Sequence, residues 1–243
     1  MDRRNTLLIR LAGPMQAWGT QSRFTHRDTG REPSKSGVIG LLCAALGIPR
    51  TQRLDDRFLR LRLGVRVDRE GRVERDYQTA RGCVKADGSA DKNAVLSDRF
   101  YLADASFLVG LEGGPEAEMI LIQGRSAFEQ PAWQLYLGRK AFVPSEPFVF
   151  ENSMRALPLE EVLKEPPWRP PAALRGRKDK WPGTLRTVVE RRYGTSGCQV
   201  RQDQPYADSF ESRRFGLRYV ETTFVRLGDE VAVEEVSGCI SRV

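Results

Sequence analysis

Two apolar segments and the long polar loop between them, all within Leu7 to Gly47, restrict this chain more than any other stretch. Leu7-Leu8-Ile9-Arg10-Leu11 is a short apolar run bounded by Gly13-Pro14, a length and boundary that suit a strand. From Ser36 to Leu46, the residues Val38, Ile39, Leu41, Leu42, Ala45 and Leu46 recur at spacings that wrap one broad face of a helix. Ser34 or Ser36 can cap that helix, and Gly47-Ile48-Pro49 stops it.

The loop between them holds the unusual chemistry. Gly13-Pro14-Met15-Gln16-Ala17-Trp18-Gly19 sets an amide and a large aromatic between two glycines, directly after a strand, where a core residue is hard to place. Arg23, Arg27, Arg31 and Lys35 bring four cations to the helix start, beside Ser34, Ser36 and Gly37. Free backbone N–H groups, a positive helix end and flexible cations together make an anion site, with phosphate the usual occupant. The plainer reading is a solvated connection with Trp18 tucked onto the core. A nucleotide P-loop does not fit, since G-x-x-x-x-G-K-[ST] is missing.

Further along, Phe58 to Val67 alternates, with Leu59, Leu61, Leu63, Val65 and Val67 on one face and Arg60, Arg62 and Arg66 on the other. That pattern predicts a half-buried strand whose second face is basic, most simply a solvated sheet face. Charges dominate from Asp68 to Arg99. Val73 to Gly82 and Phe100 to Leu111 read as two strands joined through a polar tip, Lys85 to Asp98. Gly113-Gly114-Pro115 opens a second helix running to Gln130, its apolar side formed by Met119, Ile122, Ala127 and Phe128 with Ile120 and Leu121 beside them; Gly124 weakens it. Trp133 to Leu137 reads as a short strand. The order strand, helix, strand, strand, helix, strand predicts an α+β chain with a ferredoxin-like βαββαβ sheet, the framework of RNA-recognition (RRM-like) modules. On this reading residues 1–148 form that domain, with a hairpin inserted at about 70–103, and 149–243 form a small β-rich C-terminal extension.

Within the extension, Leu157 to Leu163 suits a short helix, and Pro166-Pro167 and Pro170-Pro171 a stiff linker. Between Trp168 and Tyr193 stand eight Lys or Arg against Asp179 and Glu190. Cations interleaved with Trp168, Trp181 and Tyr193 suit RNA, which stacks on aromatic faces; a charged loop leading into a strand from Thr184 to Arg192 suits them equally. Val220 to Leu227 and Glu230 to Val236 read as terminal strands.

The 243 residues can bury a real core, and 39 Lys and Arg against 32 Asp and Glu give a net charge of +7 that permits a polyanionic partner. Cys43, Cys83, Cys198 and Cys239 form no C-x-x-C pair, so zinc and redox motifs lack support. No signal peptide or membrane-length apolar run is visible, and the chain reads as soluble and cytoplasmic. One histidine, His26, stands among Arg23, Arg27 and Asp28, without the second histidine or nucleophile that a metal-independent ribonuclease commonly uses. Asp55-Asp56 and Glu160-Glu161 are adjacent pairs that need not converge on a metal ion.

Several motifs agree with one family. LIRLAGPMQAWG, then Arg27 and Thr29, then PSKSGVIGLLCAALGI closely resemble the N-terminal signature of the CasD family, subunits of the type I-E CRISPR Cascade complex. Asp76-Tyr77-Gln78-Thr79, the run Tyr101 to Phe107, and Tyr136-Leu137-Gly138-Arg139-Lys140 with Pro144 and Pro147 match in the same order, and the resemblance fades after Phe150. It implies a non-catalytic RNA-binding subunit, without cofactor, that holds the 5′ handle of the guide RNA (crRNA) and caps the complex. Its partners would be the CasC backbone protein, the large CasA subunit and, through the assembled complex, target DNA. The inserted hairpin would be the family's protruding thumb. The grip is expected from Gly13, Pro14, Met15, Gln16, Trp18 and Gly19, from Arg27, Lys35 and Ser36, and from Tyr136, Arg139 and Lys140; Arg81 and Arg99, flanking the thumb, come second. Amides and cations would meet phosphates, Trp18 and Tyr136 would stack, and Gln16 would read a base edge. The rivals are an endoribonuclease that processes precursor crRNA through His26, and a scaffold that touches only protein.

Overall fold

The computed structural model describes residues 4–20, 25–84, 87–89 and 93–234. Arg23, Lys85, Cys239 and the end of the strand expected through Val236 lie outside them. The chain starts with β1 (Asn5–Ala12), a two-residue β2 (Met15–Gln16) and a two-residue β3 (His26–Arg27), then α1 (Lys35–Leu46), a short α2 (Asp56–Leu59) and β4 (Arg62–Arg69). A hairpin of β5 (Arg72–Ala80) and β6 (Val95–Ala103) leads into β7 (Ser106–Gly113) and α3 (Glu118–Glu129). The second half holds β8 (Met154–Arg155), α4 (Leu159–Val162), β9 (Thr184–Arg191), β10 (Gln199–Pro205), α5 (Ser209–Ser212) and β11 (Phe215–Arg226). One sheet runs β10-β11-β9-β4-β7-β1-β8 with antiparallel neighbours throughout, and a second joins β2, β6 and β3 with β5 on β6. Among the described residues no helix is long and apolar enough to cross a membrane.

β1 is buried on both faces, which explains an apolar run without alternation. Leu7, Ile9 and Leu11 enter the main core beneath α1 and α3, while Leu8 faces a second core. α1 runs from its Ser34 cap to Gly47, which adopts the left-handed conformation (φ +73°) that ends helices. α3 crosses it at Gly124, where a Cβ would stand 2.6 Å from Leu42 Cδ1. The glycine that weakens the helix thus leaves the room that the Leu42 side chain fills. The buried side of α3 is Ile120, Leu121, Gly124 and Phe128, whereas Met119 and Ile122 are exposed, which corrects the apolar side expected for it.

Four further expectations are corrected. The basic face of β4 is not solvated: Arg66 is fully buried, pairs with Asp68 at 2.6 Å and donates to the carbonyls of Leu163 and Pro166. That face is roofed by Leu159, Val162 and Leu163 of the α4 segment, which pack with Leu8, Leu108 and Val189, and Gly64 and Gly110 leave room for Leu159. Trp133 to Leu137 is not a strand. The free edge of β1 is taken by the 145–153 segment, through Arg10 N–H to Phe148 O, Leu8 N–H to Ser153 O and Ser145 N–H to Ala12 O, and by β8. The strand expected from Phe100 to Leu111 is broken at Asp104 (φ +57°), where the chain turns from the hairpin back into the main sheet. Of the strand expected from Glu230 to Val236, the described residues through Glu234 contribute only the isolated bridges Leu227–Val231 and Trp168–Val233.

The C-terminal strands extend the same sheet, since β9 pairs with β4. Trp168 is buried core, donating to Asp68 O at 2.8 Å, and Trp181, partly buried, meets it edge-on at 5.6 Å, so Trp168 is not the open stacking face considered for it and Trp181 packs against it. Arg186 and Arg191 of the same basic stretch are held by Glu32 and Glu70 and by Glu160 and Glu221.

Candidate nucleic-acid interface

The two motifs richest in expected contacts, Gly13 to Gly19 and Tyr136 to Lys140, lie far apart in sequence and form one platform. Ala17 N–H donates to Leu137 O at 3.0 Å. Leu137 N–H donates to Phe142 O and Phe142 N–H to Arg139 O, so residues 137–142 close on themselves. Gly138, at φ +94°, lies so near that a Cβ there would overlap the carbonyl of Ala17. Gly13 likewise packs on Leu137 and the Val143 carbonyl.

Beneath this platform Trp18 and Gln16 turn inward. Trp18 is 2% exposed and Gln16 fully buried. The indole N–H donates to Gln16 Oε1 at 3.1 Å, and Gln16 Nε2 donates to the carbonyls of Leu11 (3.1 Å) and Ala105 (2.8 Å). The stacking role expected for Trp18 and the base-reading role expected for Gln16 are therefore corrected: Gln16, with Trp18 bonded to it, ties the loop to β1 and to the turn that precedes β7. Lys35 is corrected in the same way, being 1% exposed and paired with Glu190 at 2.9 Å.

Above them opens a cleft of about 490 Å³. Its wall is the start of α1, with Ser34, Ser36 and Gly37; its rim carries Arg27, Arg139, Tyr136, Gly19 and two residues the sequence reading passed over, Arg50 and Trp133. Trp133 is 48% exposed and Tyr136 partly so, leaving aromatic faces open. Ser34 Oγ accepts from Gly37 N–H and Ser34 O from Val38 N–H, which fixes the helix start. Pro14 is exposed, and Met15 pairs with Ala103 of the hairpin.

Three arginines are grouped near the cleft, close enough for the charges of Arg99 and Arg27 to act on Arg139. Arg27 of β3 and Arg99 of β6 are register partners. Arg139 donates from Nη2 to Phe100 O at 2.6 Å and lies 5.3 Å from the centre of the Phe142 ring. Its Nη1 is buried without a hydrogen-bond partner among the described residues. Burial, then the charge of Arg99 and further that of Arg27, push its pKa below the ordinary value, against Asp76 and Asp28. Like charges grouped near an unsatisfied donor are an arrangement an anion would complete. Lys140 is exposed next to Arg139, while Arg81 follows β5 at the outer end of the hairpin, away from its base. His26 is exposed, with its ring 5.1 Å from that of Phe100, and is not part of the cleft wall.

Comparison with known proteins decides the family. The model of the CRISPR-associated Cas5 proteins matches residues 6–221. The chain belongs to the Cas5 family. It is 36% identical over 176 residues to the CRISPR system Cascade subunit CasD of Escherichia coli K12, covering 68% of this chain and 78% of that one. A crystal structure of a Cas protein superposes with a TM-score of 0.72 at 38% identity, over 94% of this chain and 98% of that one. A chain of a CRISPR RNA-guided surveillance complex gives 0.70 at 34% identity, over 91% and 90%. The Cas5 match extends through β9 and β10 into β11, well past the Phe150 at which the motif resemblance fades. Arg50 and Trp133 had one legible signal each: a cation just after the helix stop Gly47-Ile48-Pro49, and an aromatic three residues from Tyr136 in a segment bounded by Pro131 and Gly138.

Proposed function

We propose that this Cas5 protein is a non-catalytic, RNA-binding Cascade subunit that holds the 5′ handle of the crRNA in the cleft at the start of α1. The observation that carries the proposal is the grouping of Arg27, Arg99 and Arg139, the last with an unsatisfied Nη1, near the open faces of Tyr136 and Trp133. Cations for phosphates next to aromatic faces for unstacked bases are what single-stranded RNA requires. Arg27, Arg139, Lys140 and Arg50 would meet phosphates, Ser36 and the Gly13–Gly19 backbone would line the path, and Tyr136 and Trp133 would stack. Arg99 would add a third positive charge from the strand beside Arg27.

The strand order β4-β7-β1-β8 with α1 and α3 as crossovers supports a ferredoxin-like core, with β5 and β6 as the thumb. In this proposal residues 149–243 are an extension that completes the sheet, the CasC backbone protein and the large CasA subunit are the protein neighbours, and target DNA is met only through the complex. Likeness to a chain of an RNA-guided surveillance complex over nine-tenths of both chains favours that setting.

Fluorescence anisotropy with a labelled repeat RNA carrying the handle tests the reading. Replacing Arg27 and Arg139 by Ala weakens binding and flattens the slope of log K against log salt by about 1.4, two single-strand phosphate contacts at about 0.7 each. Unchanged affinity and slope would favour the protein-only scaffold.

A further inference from the structure

The first residue of α1 is held from the other half of the chain. Lys35 N–H donates to Asp203 Oδ2 at 2.7 Å, and its ammonium pairs with Glu190 Oε1 at 2.9 Å. Glu190 Oε2 accepts from Leu63 N–H at 3.1 Å, and Asp203 binds the Arg218 guanidinium through bonds of 2.6 and 2.9 Å. Glu190, Asp203 and Arg218 lie on β9, β10 and β11, so all three C-terminal strands reach this point. A second set ties the loop just before the helix: Glu32 binds Arg186 at 2.8 Å and Arg201 at 3.1 Å. Asp203, Lys35 and Arg218 are each at most 5% exposed.

Such an arrangement has a definite energetic character. A buried pair adds little net stability, yet removing one partner strands the other's charge, while neutralising both together is nearly harmless. Asp203 also occupies an N–H of the first helical turn, where a phosphate would otherwise be drawn. The positive end of α1 is thereby used to seat the helix, and attraction of an anion falls to the arginines across the cleft.

We propose that Lys35, Glu190, Asp203 and Arg218 are a positioning latch through which the C-terminal strands set where the start of α1, with Ser36 on the cleft wall, stands relative to Arg27 and Arg139. Lys35 makes no RNA contact. The inference rests on the RNA-binding reading above, and the test separates the two.

The full-length protein is titrated with the same handle RNA at several salt concentrations, as wild type, Lys35→Met, Glu190→Gln, the double variant, and Arg139→Ala. Gln at 190 keeps an acceptor for Leu63 N–H. Each latch single weakens binding about tenfold with the salt slope unchanged, and the double variant returns to within about threefold of wild type. Arg139→Ala weakens binding and flattens the slope by about 0.7. If Lys35→Met flattens the slope and the double variant fails to recover, Lys35 is a phosphate ligand and the latch is overturned. Latch singles with wild-type affinity beside a weakened Arg139→Ala overturn the latch alone. An unaffected Arg139→Ala overturns the RNA reading and the latch with it. Where Lys35→Met does not fold, Asp203→Asn takes its place: it keeps an oxygen on Lys35 N–H, is expected to bind about tenfold more weakly at unchanged slope, and overturns the latch if its affinity is wild type.

Discussion

Gly138 is the single position on which the platform depends most, because the space a Cβ would need is filled by the Ala17 carbonyl and its φ of +94° disfavours any L side chain. Gly138→Ala is expected to destabilise the fold by about 2–4 kcal/mol in chemical denaturation, and to lower RNA affinity, because the 137–142 loop must leave Ala17. Cys43, buried on α1, has its thiol pushed up to about 12 by burial. The folded state therefore keeps a proton that the unfolded state releases above the ordinary thiol value, so this group takes stability away as pH climbs from about 9 towards 12 and leaves it unchanged at neutral pH. Alkylation followed by mass spectrometry at pH 8 should spare Cys43 in the native protein and modify it in urea; rapid native modification would contradict the buried site. At this scale the sequence showed that Gln16 and Trp18 were unusual but not which way they point. The acceptor that decides it, the Ala105 carbonyl, is 89 residues away in the chain.

Whole elements were read best where the pattern is periodic and both ends are marked. β1, α1 and β9 stand where the apolar runs, Ser34 and Gly47 place them. Trp133 to Leu137 carries an apolar pattern without a strand, because its backbone bonds go to Ala17 and into its own loop. The roof over the second face of the sheet was also illegible, since a four-residue helix has too little periodicity to reveal what it covers. Leu159 fills the space over Gly64 and Gly110. Leu159→Ala is therefore expected to cost about 2–5 kcal/mol in a denaturant titration, with RNA affinity of the folded protein unchanged because the roof and the cleft lie on opposite faces of the sheet. A cost below about 0.5 kcal/mol would mean that the roof does not pack as described.

Across the whole molecule, the net charge of +7 proved less informative than its distribution. Arg62, Arg66, Arg186, Arg191, Arg201 and Arg218 are engaged with carboxylates that a composition count cannot assign to them. Arg139 instead keeps an unsatisfied nitrogen in the cation cluster. The C-terminal strands complete the sheet and hold the start of α1, so a chain ended after residue 148 should lose cooperative unfolding in circular dichroism melts, with the β4 edge and the Leu8–Leu108 face stripped. On the proposed reading this chain holds crRNA without cutting it. The most direct test incubates the purified protein with labelled repeat RNA in the presence of chelator, and scores shift and cleavage on one gel beside His26→Ala and the Arg27 and Arg139 double Ala variant. A shifted, intact RNA with wild type and His26→Ala, and a lost shift with the arginine variant, is the expected result; chelator-resistant cleavage abolished by His26→Ala would contradict it and make the protein a processing ribonuclease.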